Sequence, residues 1–285
     1  MRGAIEVVME GGLGNAMFQY ALGRALAVRH NRPLVLDTSL ACHYPERTFD
    51  LPCFRLAEQR VRELPYRLWS ARRNVLRGLD RIRLAPVRWV EEENLLFDPE
   101  VLQVRPPCVL KGYWQSERYF ASVERQLRQE FTIVRAQDPR SAACQARMQE
   151  VPSIGLHVRR GDYLNPEDPH TPCSLAYYET ALRLIEPSLG PGAELFVFSD
   201  DIPWAREHIR FDLPTEFVDW NAERNYEDLR LMSACRALIA VNSTFSWWGG
   251  WLNHRPDKIV IVPKDWYRSP GMASDLPGSA WATAI

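Results

Sequence analysis

The chain opens on a short apolar run, Ile5-Glu6-Val7-Val8-Met9. Gly11-Gly12-Leu13-Gly14 breaks it, and residues 15–30 follow with apolar positions at helical spacing. That order predicts strand, glycine turn, helix, and Pro33-Leu34-Val35-Leu36-Asp37 predicts the next strand. Beyond residue 150 the pattern recurs, with apolar strand-like runs at 154–158, 195–198, 237–241 and 259–262 and helical patterns at 174–186 and 243–252. Strands that alternate with helices build parallel sheets covered by helices. No internal repeat or low-complexity tract interrupts the series.

Pro106-Pro107 and the segment 137–152 are the strongest breaks in this pattern. The second divides the 285 residues into halves, each long enough to bury a core, so two domains are expected, 1–150 and 151–285.

Charge narrows the function. The formal net charge is −1, so no whole-molecule field draws the chain to nucleic acid, and any anion site must be local. One stretch departs from this balance: residues 55–88 carry ten arginines against Glu58, Glu63 and Asp80. A solvated helical face is the plainer reading, and peripheral contact with an anionic membrane or a lipid-linked acceptor is the other. Six cysteines without a CxxC pair or a histidine at ligand spacing argue against a zinc site or a disulfide framework, and they read as reduced and mostly buried. The N-terminus shows no signal-peptide apolar region and no run is long enough to span a bilayer, so a cytoplasmic location is expected.

In parallel sheets the residues just after each strand meet ligands. Three such places carry chemistry: residues 157–163, Ser199-Asp200-Asp201, and residues 242–246. Arg159 and Arg160, at a strand end before Gly161 and Asp162, form a compact cationic site suited to a diphosphate. Strand alternation points the two guanidiniums apart, which assigns Arg159 to phosphate and leaves Arg160 to pair with Asp162 or Asp200. Asn242-Ser243-Thr244-Phe245-Ser246 lies between an apolar strand and a Trp-rich helix. Its hydroxyls and free N–H groups suit an anion, and the same geometry caps a helix. Trp247 and Trp251, four apart, read as core. Gly12-x-Gly14-x-x-Met17 with Asp37 partly imitates a dinucleotide fingerprint, but Met17 stands where the third glycine packs helix on strand. No Asp-x-Asp triplet occurs, so Asp200 and Asp201 read as a helix-start charge or as arginine partners, and no metal is expected.

Taken together, Gly11-Gly12-Leu13-Gly14-Asn15-Ala16-Met17-Phe18-Gln19-Tyr20-Ala21, His157-Val158-Arg159-Arg160-Gly161-Asp162-Tyr163 and Ser243-Thr244-Phe245-Ser246-Trp247-Trp248-Gly249-Gly250 resemble the bacterial type of the α-1,2-fucosyltransferase family, glycosyltransferase family 11. Phe198-Ser199-Asp200-Asp201 falls between the last two, and the likeness spans nearly the whole chain. The family usually has glutamine at the place of Ala16, which implies altered acceptor handling. The resemblance implies an α/β, GT-B-like fold: two Rossmann-like domains with parallel sheets flanked by helices. The N-terminal half would hold mainly the acceptor and the C-terminal half GDP-fucose. The more distant α-1,6-fucosyltransferases look similar through His-x-Arg-Arg, where the first arginine contacts the donor diphosphate; that position is Arg159. They also carry an aspartate that reads the guanine edge, and Asp228 matches it.

The reaction so implied moves L-fucose from GDP-fucose to the 2-hydroxyl of a terminal β-galactoside, with inversion and without metal or cofactor. The acceptor would be a galactose-terminated oligosaccharide or lipid-linked glycan. Arg159, with Thr244 and Ser246, would stabilise the leaving diphosphate. His157, Asp162 and Asp200 are open as general base, and His157 reads equally as structural or guanine-side. Donor contacts fall to Arg159, Asp228, Ser243, Thr244 and Ser246, with Gly14 and Asn15 of the glycine turn. The rival readings are another GDP-sugar donor, an NAD-dependent oxidoreductase built on residues 12–37, and a non-catalytic glycan-binding protein.

Overall fold

The structure, a computed structural model, describes residues 3–43, 49–82, 87–269 and 271–285. It divides into two compact units, Met1–Val134 and Arg135–Ile285.

In the first unit β1 (Ile5–Val8), α1 (Leu13–His30), β2 (Leu34–Asp37), β3 (Arg60–Arg62), α2 (Tyr66–Arg81), β4 (Arg88–Glu91), β5 (Cys108–Lys111) and α3 (Glu124–Glu130) follow in order. Among the described residues the strands form a five-stranded sheet, ordered β3-β2-β1-β5-β4, with every pairing parallel. Every residue of β1 and β2 is buried, as befits parallel strands covered on both faces. Helix α1 lies close on this sheet because Gly23 has no side chain: a Cβ there would stand 2.5 Å from Val7 and 2.8 Å from Leu34. Pro106-Pro107 lead directly into β5 and separate nothing.

Two charges are buried with the strands, Glu6 and Asp37, and buried carboxylates need partners. Arg62 and Arg72 both pair with Glu6, and Arg72 also lies 3.5 Å from Asp37. The arginine-rich stretch is therefore not simply a solvated face; part of it is internal counter-charge for the first sheet. Arg83, within that stretch, lies outside the described residues.

The second unit contains α4 (Pro139–Glu150), β6 (Ser153–Val158), α5 (Leu175–Leu189), β7 (Glu194–Ser199), α6 (Ile202–His208), β8 (Thr215–Val218), α7 (Asn225–Ala234), β9 (Ala237–Ile239), α8 (Thr244–Leu252), β10 (Ile259–Val262) and β11 (Thr283–Ala284). Among the described residues these strands make a six-stranded sheet, β11-β10-β9-β6-β7-β8, again parallel throughout. Side-chain alternation divides its residues between two cores. Leu195 and Val197 pack with Tyr178 and Ile185 of α5, while Phe196 and Phe198 pack with Cys144 and Met148 of α4 and Met232 of α7.

That second core corrects the expected boundary. Helix α4 belongs to the C-terminal unit through Cys144 and Met148, so the division falls between Val134 and Arg135, not at 150. The cysteines are all free; Cys53, Cys108, Cys144 and Cys235 are buried, Cys173 is half-buried and Cys42 is exposed. Each sheet changes direction beside its first strand, between β1 and β5 and between β6 and β9. Crevices at such reversals, outside the strand carboxyl ends, are where open α/β sheets bind ligands.

Candidate functional site

In the second unit, β6 delivers His157 to the reversal, and Arg159 to Asp162 follow in the loop beyond it. The carboxylate pairing of the two arginines differs from the expectation. Arg159 is the one that pairs with the nearby carboxylates: its Nε and Nη2 donate to Asp162 at 3.0 and 2.9 Å, and its Nη1 lies 3.3 Å from Asp200. Arg160 turns the other way, 3.9 Å above the Trp204 ring and 3.3 Å from Asp201. Both residues lie past the last residue of β6, so strand alternation does not govern them. Burial opposes the Arg159 charge, but the Asp162 hydrogen bonds and Asp200 outweigh it and hold the guanidinium above its ordinary pKa. Its side chain keeps a third of its surface exposed.

Asp200 shapes the loop. Its two oxygens accept from the backbone N–H groups of Arg160, at 2.9 Å, and Gly161, at 3.1 Å. A Cβ at Gly161 would lie 2.8 Å from Asp200 Oδ2, so this approach requires glycine. Asp201 caps α6 by accepting from the Trp204 N–H. The adjacent carboxylates act as arginine partners and helix cap, as the sequence suggests.

The loop is tied to the Ser/Thr turn after β9. Tyr163 donates from its hydroxyl to the Asn242 carbonyl at 2.8 Å, and His157 faces Phe245 with ring centroids 5.9 Å apart. Asn242 is itself clamped, donating to the carbonyls of Thr171 and Trp266. Ser243 caps α8 by accepting from the Phe245 N–H at 3.3 Å, and Thr244 opens the helix. Ser246 is turned inward, against the expected donor contact. Its hydroxyl is fully buried and bonded to the backbone of Val241 and Ser243, so the side chain secures the turn from inside and faces no ligand. Trp247 and Trp251 are buried, as expected of core residues.

Burial, with the Arg159 charge beside it, pushes the His157 imidazole down to about 3, so the ring is neutral. A base that weak draws little proton at neutral pH, which disfavours a general-base role. Its Nδ1 is buried and has no hydrogen-bond partner among the described residues.

Asp228 lies in the first turn of α7, and the residues around it form a chain that the sequence does not announce. Trp220 Nε1 donates to Ser141 Oγ at 2.9 Å, Ser141 donates to Asn221 Oδ1 at 3.1 Å, and Asn221 Nδ2 donates to Asp228 Oδ1 at 2.8 Å. An indole N–H can only donate, so the serine proton goes to Asn221, whose amide must then present Nδ2 to Asp228. Oδ1 is thereby an acceptor, and Oδ2 makes no hydrogen bond among the described residues. Burial pushes the Asp228 carboxyl up to about 7; the Asn221 bond lowers it and the Glu227 charge raises it.

In the first unit the glycine turn closes β1. Gly11 adopts φ +83° and Gly12 precedes α1 without a side-chain cap. Asn15 Oδ1 accepts from Gln115 Nε2 at 3.0 Å. Gln19, fully buried, accepts from the Glu10 N–H and donates to the carbonyls of Glu10 and Gly112, joining the ends of β1 and β5. Asp37 is also fully buried and accepts from Ser39 and Arg72, so it offers nothing to a ribose. Gly14 and Asn15 thus belong to the first unit, and Arg159, Asp228 and the Ser/Thr turn to the second. Among the described residues no group of three or more His, Cys, Asp or Glu side chains is placed to hold a metal ion.

The family model for glycosyl transferase family 11 matches residues 98–282. An O-antigen biosynthesis glycosyltransferase of Escherichia coli, WbnK, is 32% identical over 287 residues, covering 91% of this chain and 93% of that protein. The chain belongs to glycosyl transferase family 11. An Escherichia coli alpha-1,2-colitosyltransferase is 29% identical, covering 94% of both chains. A Caenorhabditis elegans galactoside 2-alpha-L-fucosyltransferase is 25% identical over 63% of this chain and 55% of its own length. Among solved structures, the NodZ alpha-1,6-fucosyltransferase of Bradyrhizobium aligns with TM-score 0.53 and 17% identity over 88% of this chain and 93% of its own. The fold of this family 11 chain is therefore GT-B, and it is a glycosyltransferase. Membership removes the oxidoreductase and the non-catalytic glycan-binding readings, in keeping with the internal role of Asp37.

Proposed function

We propose that the chain is an inverting α-1,2-fucosyltransferase that moves L-fucose from GDP-fucose to the 2-hydroxyl of a terminal β-galactoside. The observation that carries the donor half is that Tyr163, whose ring lies 5.8 Å from the Arg159 guanidinium, donates to the Asn242 carbonyl just before α8, which links Arg159 to that helix start at the β6/β9 reversal. A helix N-terminus and a guanidinium fork side by side match a diphosphate. Asp228 supplies a carboxylate suited to the two N–H groups on the guanine edge, as its match in the α-1,6 enzymes implies.

The diphosphate competes with Asp162 and Asp200 for the Arg159 fork. As the acceptor hydroxyl attacks the anomeric carbon and GDP departs, negative charge grows on the bridging oxygen. Arg159 and the α8 dipole stabilise that charge more in the transition state than before it. No cofactor or metal enters this scheme. Asp162 acts as a holder of Arg159, the neutral His157 lines the donor side, and Ser243 and Thr244 contribute at the helix start. The first unit carries most of the acceptor contacts.

The linkage and the sugar follow from the sequence resemblance and from relatives named for α-1,2 transfer and galactoside fucosylation. The colitosyltransferase relative favours a second reading, another GDP-sugar with the same linkage. Incubation with GDP-fucose and lactose, followed by NMR location of the new bond, tests the proposal. Fucose on O2 of galactose in α configuration supports it. Fucose at another hydroxyl refutes the linkage alone, and turnover of a different GDP-sugar but not GDP-fucose refutes the donor.

A further inference from the structure

The arginine-rich helix α2 is held to its unit by few side chains. Trp69 is its buried residue, and Leu76 packs partly against the same cluster. Its apolar residues nevertheless cover a wider arc than this contact uses. Leu68, Val75 and Ile82 are 60%, 59% and 62% exposed, far more than a helix facing only its own core would leave. Leu68 and Val75, seven apart, share one stripe of the helix with an offset of about 20°, and Ile82 follows directly after its last turn.

The arginines sort by face. Arg72 and Arg77 point inward to Glu6 and Glu91, and Arg73 lies over the Trp69 ring. Arg67 and Arg81 are exposed and have no ion-pair partner among the described residues. By the 100° helical step they fall about 100° and 140° from Leu68, on the same flank of the stripe. An apolar stripe edged by unpaired arginines on a helix of low mean hydropathy is the make-up of an element that lies in a bilayer surface. Among the described residues no helix is long and apolar enough to cross a membrane.

We propose that the outer face of α2 docks the enzyme peripherally on an anionic lipid surface, with Leu68, Val75 and Ile82 entering the interface and Arg67 and Arg81 meeting the headgroups. A second copy of the chain fits this face less well, because two-fold pairing would set the same arginines against each other. Two modest attractions acting together suit reversible attachment.

The test is co-sedimentation of the full chain with vesicles of phosphatidylglycerol and phosphatidylethanolamine, and with vesicles of phosphatidylcholine alone. Binding to the anionic vesicles, weakened about tenfold or more on phosphatidylcholine or by about 0.5 M salt, is the expected result. Two double variants divide the contributions: Leu68→Ser with Val75→Ser, and Arg67→Gln with Arg81→Gln. Each should lower anionic-vesicle affinity about tenfold while thermal melting stays close to wild type, since these side chains are exposed. Wild-type protein that stays in the supernatant overturns the proposal, as do double variants that bind like wild type. A dimer broken by the Leu68 and Val75 changes, without vesicle binding, overturns it in favour of self-association.

Discussion

Asn221 donates to Oδ1 of Asp228 at 2.8 Å, and the amide is turned that way because Ser141 already occupies its oxygen. The relationship decides which carboxylate oxygen remains for a ligand. If Oδ2 accepts from guanine, Asp228→Asn should weaken GDP binding by about 1 to 3 kcal/mol with the fold intact. Calorimetric titration measures this, and an unchanged affinity would remove Asp228 from base recognition.

The same carboxyl gives the donor site a pH dependence. With a pKa raised to about 7, Asp228 is largely protonated at pH 6 and largely ionised at pH 8, and only the ionised form accepts two N–H donors. GDP affinity should therefore rise across that interval, beyond what phosphate ionisation alone produces. Because a raised carboxyl pKa means that the folded state holds the proton more tightly, this group's contribution to stability declines between its ordinary value near 4 and 7. Comparing wild type with Asp228→Asn isolates both effects; equal pH slopes for GDP affinity would contradict the first.

Ser141→Ala keeps the helix but leaves Asn221 without the proton that orients it. Two hydrogen bonds are lost, the one accepted from Trp220 and the one donated to Asn221, at about 0.5 to 1.5 kcal/mol each, and part of the second should appear as a weaker preference for GDP over inosine diphosphate, which lacks the 2-amino group. General loosening would weaken both nucleotides alike. Titrating each against the variant distinguishes the outcomes.

Much of this architecture can be read in the sequence, and the reasons it cannot be read further are local. The apolar runs of β1, β2, β6, β7 and β10 are buried on both faces, so continuous hydrophobicity marks them. The strands β3 and β8 are sheet edges with polar, partly exposed residues such as Arg60 and Glu216, and no run announces them. Helix α4 reads as a break because Asp138 and Pro139 begin it, although those residue types also start helices, Asp138 by accepting from Arg140 and Ser141. In the candidate site, His157, Arg159, Asp162 and the turn stand together as their positions at strand ends suggest. Which of the two arginines takes Asp162 and Asp200 is not legible, since pairing in a loop depends on backbone directions that alternation does not supply. The Trp220, Ser141 and Asn221 chain was hidden for another reason: Ser141 is some eighty residues from its partners and carries no motif.

Arg159→Lys should lower kcat by about 10²-fold, because an ammonium cannot form the two parallel bonds that the fork makes now to Asp162 and then to a diphosphate. Arg160→Lys should instead act on stability, by about 1 kcal/mol, through the Trp204 and Asp201 contacts. Kinetics and thermal melts of both variants test the division of roles. A folded Arg159→Lys enzyme with near-normal kcat would show that the diphosphate is held elsewhere.

Gly155, in the middle of β6, faces the end of α7, the helix that carries Asp228. A Cβ there would lie 2.9 Å from Cys235 Sγ and 3.0 Å from Leu238 Cδ1, both in a core where Cys235 and Leu238 are fully buried. Neither neighbour has free space to retreat into, and inserting a methyl group into a packed core costs about 1 to 3 kcal/mol. Gly155→Ala should therefore lower Tm by a few degrees. If the strain is relieved by α7 moving off the sheet, the Asn221 to Asp228 bond shifts with it, and GDP affinity should fall in the protein that remains folded. Gly192→Ala is the control, because a Cβ there meets nothing within 4 Å, although its φ of +80° gives it a backbone penalty of its own. A melt in which both variants lose stability but only Gly155→Ala weakens GDP binding is the expected outcome. Equal GDP affinity in the two variants would mean that the helix accommodates the methyl group without moving its first turn.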